Sequence, residues 1–370
     1  MDVSVILTYR CNSRCSTCHV WQHPTLPAEE VTLAVLAKLP GGLDRLVLTG
    51  GEPTLRADLG EIVDCLRPKA RQLEISTNGL QADKLEPIAA KHPDVRFRLS
   101  LDGLGARNDS IRGEKNGFER KMATLRRLVA AGARDLGFAA TLQDENADQL
   151  LELYRLCSDF GGELAVAALH NGFLYHKIDN ESANRVRLAR AVQPLIAARL
   201  RSRRPRNWFR AHSELGLMRK ILGQPRGRPC TAGRDCACVD PWGRVYACPI
   251  RPDLEIGDLA AQTWREILRG PRAAEARTRV ARCTHNCWPA GTAGRPGRFP
   301  GLRPFAWIAA HRLRGVGGGP VDFDREVDFA DVAQSPVVPR RESWLGKPFR
   351  PAFQRKSERP YGAFNNGMNR

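Results

Sequence analysis

Cys11, Cys15 and Cys18 fall together in the run Tyr9-Arg-Cys-Asn-Ser-Arg-Cys-Ser-Thr-Cys-His-Val-Trp21, with the spacing C-x3-C-x2-C. Thiolates are the usual ligands of iron–sulfur clusters. Three of them on one loop can hold three corners of a cubane [4Fe–4S] cluster and leave the fourth iron open to a ligand. A second group of thiols comes late in the chain. Cys230 and Cys248 bracket Asp240-Pro-Trp-Gly-Arg-Val-Tyr-Ala-Cys248, a β-hairpin signal with its turn at Pro241–Gly243, and a C-x3-C pair, Cys283 and Cys287, follows a helical stretch. Cys236 and Cys238 lie on the same hairpin. Four thiolates from such a set suit a second cluster or a structural zinc ion.

The elements that must position these residues alternate in type. Apolar, β-rich runs at Val3–Leu7, Arg45–Leu48, Gln72–Ser76, Val95–Leu101, Leu136–Leu142 and Glu163–Leu169 are separated by helical patterns at Glu29–Lys38, Leu59–Leu66, Ala82–Lys91, Gly117–Ala131 and Ala147–Phe160. Such alternation predicts βα units and a parallel sheet, with chemistry at the carboxyl ends of the strands. Polar residues recur there. The second strand ends in Leu48-Thr-Gly-Gly-Glu-Pro-Thr-Leu55, where Gly50 and Gly51 let backbone approach a ligand and Glu52 can receive an ammonium group. Asn78 follows the third strand, Ser100 and Asp102 the fourth, and Thr141 the fifth. Taken singly, each is also an ordinary turn or helix-cap residue. The sixth strand leads into Leu169-His-Asn-Gly-Phe-Leu-Tyr-His-Lys-Ile-Asp-Asn180, whose His170, Asn171, Tyr175, His176 and Lys177 suit recognition of a polar substrate. The other reading of this loop is a solvated connection capped at Asp179 or Asn180.

In this order and placement the cysteine run and the Gly-Gly-Glu-Pro run resemble the radical S-adenosylmethionine (radical SAM) superfamily over residues 3–290. The resemblance implies an α/β fold: a partial (β/α)6 radical SAM barrel with a small C-terminal cysteine-rich domain of the twitch/SPASM type. It implies that Cys11, Cys15 and Cys18 hold a reducible [4Fe–4S] cluster whose unique iron chelates S-adenosylmethionine (SAM). Gly50, Gly51 and Glu52 would hold the methionyl amino group, and Ser100 and Asp102 would face the ribose and carboxylate. Arg112 would pair with the methionine carboxylate, Asn78 would lie at the barrel mouth and Thr141 would touch the cofactor. The residue before the third cysteine is usually aromatic in the superfamily and is Thr17 here, so packing near adenine falls to His19 or Trp21. The spacing Cys-x12-Gly-x4-Cys resembles the auxiliary extension, and the shortage of late cysteines favours its shorter twitch form with one auxiliary [4Fe–4S] cluster. Cys230, Cys248, Cys283 and Cys287 are its expected ligands, with Cys236 as substitute. Cys65 and Cys157 read as buried structural thiols.

The expected organisation is a barrel core over 1–200, a basic linker over 201–229, the auxiliary domain over 230–290, and a Gly/Pro/Arg-rich, partly disordered tail over 291–370. In a chain of 370 residues no apolar run approaches the ~20 residues of a bilayer span. Eleven cysteines without an export signal favour cluster ligation over disulfides and a cytoplasmic location. The net charge of +18 reflects either a general use of arginine or affinity for nucleic acid, an anionic membrane or a phosphorylated substrate. Arg201, Arg203, Arg204, Arg206 and Arg210 beside Trp208 and Phe209, and the amphipathic stretch Phe305–Arg314, carry that second reading.

The function expected from the resemblance is reductive cleavage of SAM to a 5′-deoxyadenosyl radical, fed by a one-electron donor such as flavodoxin or ferredoxin. Hydrogen abstraction from a polar substrate follows. With one auxiliary cluster to take up an electron, oxidation of a carbohydrate or cyclitol ranks first. A maturase of a ribosomally made peptide ranks second, because the barrel begins so near the first residue. A non-enzymatic, zinc-binding, nucleic-acid-associated protein explains the charge and the cysteines but leaves Gly50 to Glu52 without a role.

Overall fold

The computed structural model describes residues 1–177, 179–225, 229–283, 287, 302–316, 323, 326–330 and 332, all within a compact unit spanning Met1–Val338. Six strands, β1 (Asp2–Ile6), β2 (Leu43–Thr49), β3 (Ala70–Thr77), β4 (Arg96–Ser100), β5 (Asp135–Leu142) and β6 (Glu163–Ala168), pair in parallel in sequence order. Helices α1 (Leu33–Leu36), α2 (Leu59–Leu66), α3 (Ala82–Lys91), α4 (Ala106–Arg112), α5 (Gly117–Ala130) and α6 (Leu150–Asp159) occupy the connections. The six-unit α/β architecture expected from the alternation is the one observed. Side chains from all of β1 to β6 border enclosed space on one face, so the sheet curls into an open barrel.

Alternation along the strands decides what fills that barrel. In β6, Leu164, Val166 and Ala168 join the hydrophobic core, whereas Glu163, Ala165 and Ala167 border the lumen. In β1, Val3 and Val5 are core and Ser4 faces the lumen. Bulky branched side chains usually fill a parallel barrel in layers. Here the inward positions are mostly small, polar or charged, with Val47 the branched apolar exception, and the interior is left as cavities.

The cysteine hairpin extends the same sheet. β7 (Cys236–Val239) pairs in parallel with β1, in the register Asp2↔Cys236 and Ser4↔Cys238, and β8 (Arg244–Tyr246) and β9 (Glu255–Asp258) follow in antiparallel order. The strand order is therefore β6-β5-β4-β3-β2-β1-β7-β8-β9. Helices α9 (Trp264–Arg269) and α10 (Pro271–Ala281) pack beside β9.

Three segments differ from expectation. The helix read over Glu29–Lys38 is reduced to a single 3-10 turn and the four-residue α1, because Glu30 and Thr32 are extended and Val31 between them donates its N–H to the Pro241 carbonyl at 2.6 Å. The basic segment 201–229, read as a linker, carries a folded helix. The long helix α7 (Arg185–Arg201) is followed by α8 (Pro205–Leu222), which Pro205 opens at a position where its missing N–H costs nothing, and which buries Leu215, Leu217, Met218, Ile221 and Leu222. Arg199 and Glu214 tie the two helices at 2.8 Å. Finally, the stretch 305–314 belongs to α11 (Arg303–Val316), which packs on α7 and α8. The rings read as a stacking surface are turned into this packing: Arg312 lies 3.7 Å from the Trp208 ring centroid and Phe209 meets Phe305 edge-on at 5.2 Å. Most of the remaining tail lies outside the described residues. No helix among the described residues is long and apolar enough to cross a membrane.

Candidate active site

After β1 the chain loops over the carboxyl ends of the strands, and buried polar contacts fix the loop. The buried Glu30 carboxylate accepts hydrogen bonds from Arg10 Nε (2.9 Å), Arg10 Nη2 (2.8 Å), Thr25 Oγ1 (2.7 Å) and Thr8 Oγ1. Burial alone would raise its pKa, but the Arg10, Thr8 and Thr25 hydrogen bonds outweigh burial and hold the pKa below the usual carboxylate value. Farther along, the Arg14 and Ser16 amides donate to the Arg112 and Ile111 carbonyls at 2.9 and 3.0 Å. This docking needs Gly113, which ends α4 with φ 58°; a Cβ there would stand 2.6 Å from the Arg14 carbonyl oxygen.

Cys11, Cys15 and Cys18 are free thiols bordering one cavity of about 270 Å³. Burial pushes Cys11 up to about 12 and Cys18 up to about 11, and raises Cys15 as well. Without iron the three are protonated at neutral pH, so ligation would release their protons. Among the described residues no three side chains are drawn into a coordination shell, so the thiols share a cavity without closing on one point. Three soft donors on one pinned loop, facing open space, are the donor set a cluster with a free corner requires.

The opposite wall carries most of the expected cofactor residues. Gly50, Gly51, Asn78, Ser100, Asp102, Arg112 and Thr141 all border the cavity. Thr17 and Trp21 border it too, whereas His19 does not, so of the expected aromatic pair only Trp21 reaches the cavity. Glu52 departs from expectation. Its fully buried carboxylate accepts from Thr54 N (3.1 Å), Thr54 Oγ1 (2.8 Å), Thr77 Oγ1 (2.7 Å) and Asn78 N (2.6 Å), and it does not border the cavity. Of the three motif residues only Gly50 and Gly51 border the cavity, while the Glu52 carboxylate ties the loop after β2 to the end of β3. Glu52→Gln should therefore cost about 2 kcal/mol of stability in denaturant titrations, since an amide NH2 would face the Asn78 N–H, while SAM affinity changes little. Unchanged stability with lost SAM affinity would restore the direct contact.

Arg112 also has protein partners. Its Nη1 donates to Asp102 Oδ2 at 2.7 Å and its Nε to Glu114 Oε1 at 3.2 Å; Glu114 further accepts from Ser13 Oγ at 2.6 Å and from Lys121 Nζ. Asp102 Oδ1 receives the Thr141 N–H at 2.7 Å. Burial works against the guanidinium charge, but Cys15, Asp102 and Glu114 around it keep the pKa well above normal. The network ties the cysteine loop to β4, β5 and α5. Sequence reading missed Ser13, Glu114 and Lys121. One signal was present: Lys121 falls among the apolar positions of α5, where an unpaired lysine would be costly.

The mouth loop divides. His170 and Tyr175 border the cavity. Burial, with Lys220 nearby, pulls His170 down to about 4, so its imidazole is neutral. Asn171 closes the loop on itself through the Asn180 N–H (2.7 Å) and carbonyl (3.0 Å). His176 stacks on His23 at 4.6 Å and meets Tyr9 edge-on at 4.8 Å, and Lys177 pairs with Asp179 at 2.8 Å. Those three side chains shape the loop without bordering the cavity.

At the second thiol set all six cysteines are unbridged. Burial pushes Cys248 up to about 12, with Cys287 and Cys230 among its charge neighbours, and Arg251 bonds to Cys283. Cys238 is fully buried beside Asp240, Cys248 and Cys236. Cys230, Cys287 and, through Arg251, Cys283 are thus neighbours of Cys248, though among the described residues no three of these thiols close into a coordination shell.

The geometry describes a barrel with a three-thiol loop at its mouth and a cysteine-rich unit added to its sheet. The Radical SAM superfamily model matches residues 5–157 and the SPASM iron–sulfur cluster-binding domain model matches residues 230–288. The chain is a radical SAM enzyme with a C-terminal SPASM-type auxiliary-cluster domain. It is 29% identical to the pre-heme d1 synthase of Dinoroseobacter shibae over 72% of each chain, and 28% identical to the mycofactocin maturase MftC of Mycolicibacterium smegmatis over 75% of this chain and 74% of that one. The fold is shared with Streptococcus suis SuiB bound to precursor peptide SuiA, at a TM-score of 0.55 and 16% identity over 75% of this chain and 66% of that one. The cofactors of the class are SAM with its [4Fe–4S] cluster and auxiliary iron–sulfur ligation, and both thiol sets suit them. The iron–sulfur match at 230–288 sets the zinc reading aside.

Proposed function

We propose that this enzyme is a maturase that modifies a peptide, with net oxidation as its outcome. The observation that carries the reading is the similarity to MftC, which runs through both the barrel and the auxiliary domain. It reverses the ranking expected from the sequence, in which a carbohydrate or cyclitol came first. The SuiB fold, seen there with a precursor peptide, agrees with it.

When bound, SAM and its cluster supply a hydrogen-abstracting radical. The chain's own residues position and shield. The backbone at Gly50 and Gly51 borders the space for an ammonium group, Trp21 gives an apolar ring, and Arg112, held by Asp102 and Glu114, sets positive charge beside Cys15. Neutral His170 and the Tyr175 hydroxyl form the side facing an incoming substrate. Tyr175 is held protonated by burial, so it can donate a hydrogen bond to a peptide carbonyl.

The test is SAM cleavage by reconstituted enzyme with short peptides encoded beside its gene, read by mass spectrometry. The expected result is 5′-deoxyadenosine formation coupled to a peptide product lighter by two hydrogens. The comparable similarity to pre-heme d1 synthase favours a second reading, a haem-type precursor as substrate. Turnover coupled to such a tetrapyrrole and not to any peptide would overturn the first reading in favour of the second.

A further inference from the structure

Beneath the cysteine-lined cavity, toward the amino ends of the strands, the barrel encloses a second cavity of about 420 Å³. The two share a wall formed by Thr49, Ser76, Ala139, Ala165, Ala167 and Tyr175. Four of those six side chains are no larger than serine, so the partition is thin.

The lower chamber is bordered by five arginines, Arg45, Arg96 and Arg98 from the strands and Arg206 and Arg210 from α8. The carboxylates facing them are Glu74, Glu163 and Asp135. Glu163 accepts from Arg98 at 2.7 Å and from Arg210; Asp135 accepts from Arg98 at 2.6 Å and Arg96 at 2.9 Å; Glu74 accepts from Arg45 at 2.6 Å. With the buried Asp2, register partner of Arg45, counted as well, the arginines keep one positive charge in excess. Arg45 Nε is buried without a hydrogen-bond partner, and Arg206, exposed at the rim, has Glu163 as a charge neighbour without a close ion pair among the described residues. A purely structural ion network satisfies its buried donors and fills its space, because an unmet buried donor is costly. This one leaves Arg45 Nε unmet and about 420 Å³ open.

We infer that the chamber is an oxyanion site, which holds a carboxylate or phosphate group of the substrate while the rest of that molecule passes the shared wall to the cysteine-lined cavity. Guanidinium forks match the geometry of both groups. The small inward residues of β6 give such a molecule its passage. Any substrate bearing one such group qualifies, so the assignment stands apart from the choice between peptide and tetrapyrrole.

Reconstituted holoenzyme titrated calorimetrically with inorganic pyrophosphate and, separately, with glutarate tests the assignment. Saturable binding of one probe is expected, and which probe binds distinguishes a phosphate from a carboxylate. Arg206→Gln, at an exposed position, should weaken binding about tenfold. Glu74→Gln keeps an acceptor for Arg45 while adding net positive charge, and should tighten binding about threefold. Failure of both probes to saturate overturns the site. So does equal affinity in the wild type and both variants, which would locate the anion on the basic outer surface.

Discussion

Replacing Cys11, Cys15 and Cys18 together by alanine lowers the iron of anaerobically reconstituted protein from about eight atoms per chain to about four, and abolishes SAM cleavage. The three thiols border one cavity on a loop that Glu30, Arg112 and Ile111 hold in place. None of those anchors is a thiol, so the loop keeps its path in the variant and the loss is confined to the metal. The residual four irons belong to the set around Cys248, which lies beyond β1 in the added strands. Mössbauer spectra on both proteins check this. Iron that stays near eight in the variant would remove the cysteine loop from cluster binding. Zinc in place of the residual iron would deny the auxiliary domain a redox role.

Gly51→Ala should cost about 3 kcal/mol of stability and most of the iron at the first site. Gly51 donates its N–H to the Thr8 carbonyl at 2.7 Å, and Glu52 donates to the Arg10 carbonyl at 2.8 Å. The loop after β2 is thereby laced to the residues just ahead of Cys11. A Cβ on Gly51 would lie 2.2 Å from the Arg10 oxygen and 2.7 Å from its carbon, both backbone atoms that no rotamer change can move. The relief available is a shift of Arg10, which carries Cys11 with it. Gly60→Ala is the control: a Cβ there meets nothing within 4 Å, and alanine in the helix should stabilise by up to about 1 kcal/mol. Denaturant unfolding and iron content of the two variants check the contrast, and equal behaviour would show that the approach at Gly51 is slack.

The bounds of α2 and α3, and the six parallel strands, could be read from apolar periodicity because those segments bury one face against a single layer. The motif residues at the strand ends were legible because a parallel sheet forces successive carboxyl ends to one side. What periodicity does not carry is the curl of the sheet. The positions left over after Val3 and Val5, or after Leu164 and Val166, look solvent-facing in sequence, yet they line a lumen. The basic run after Arg199 misled for a related reason. Arg210 finds its carboxylate, Glu163, 47 residues away on another element, and no local charge pattern announces such a pair. Glu52 shows the limit within a motif: residue type named a carboxylate, but four converging donors turned it away from the cavity.

The parallel pairing of β1 with β7 also has a bearing on how the chain is made. Asp2 finds its partner at Cys236, so β1 waits for more than two hundred residues of synthesis before that edge is covered. Until then β1 presents an unpaired row of amides and carbonyls next to a cysteine-rich loop, an arrangement prone to edge-to-edge association. Closing so distant a pair is slow. Cluster insertion during synthesis would therefore meet a barrel whose first edge is still open, and the auxiliary domain acts, in this sense, as the clasp that ends the growing sheet.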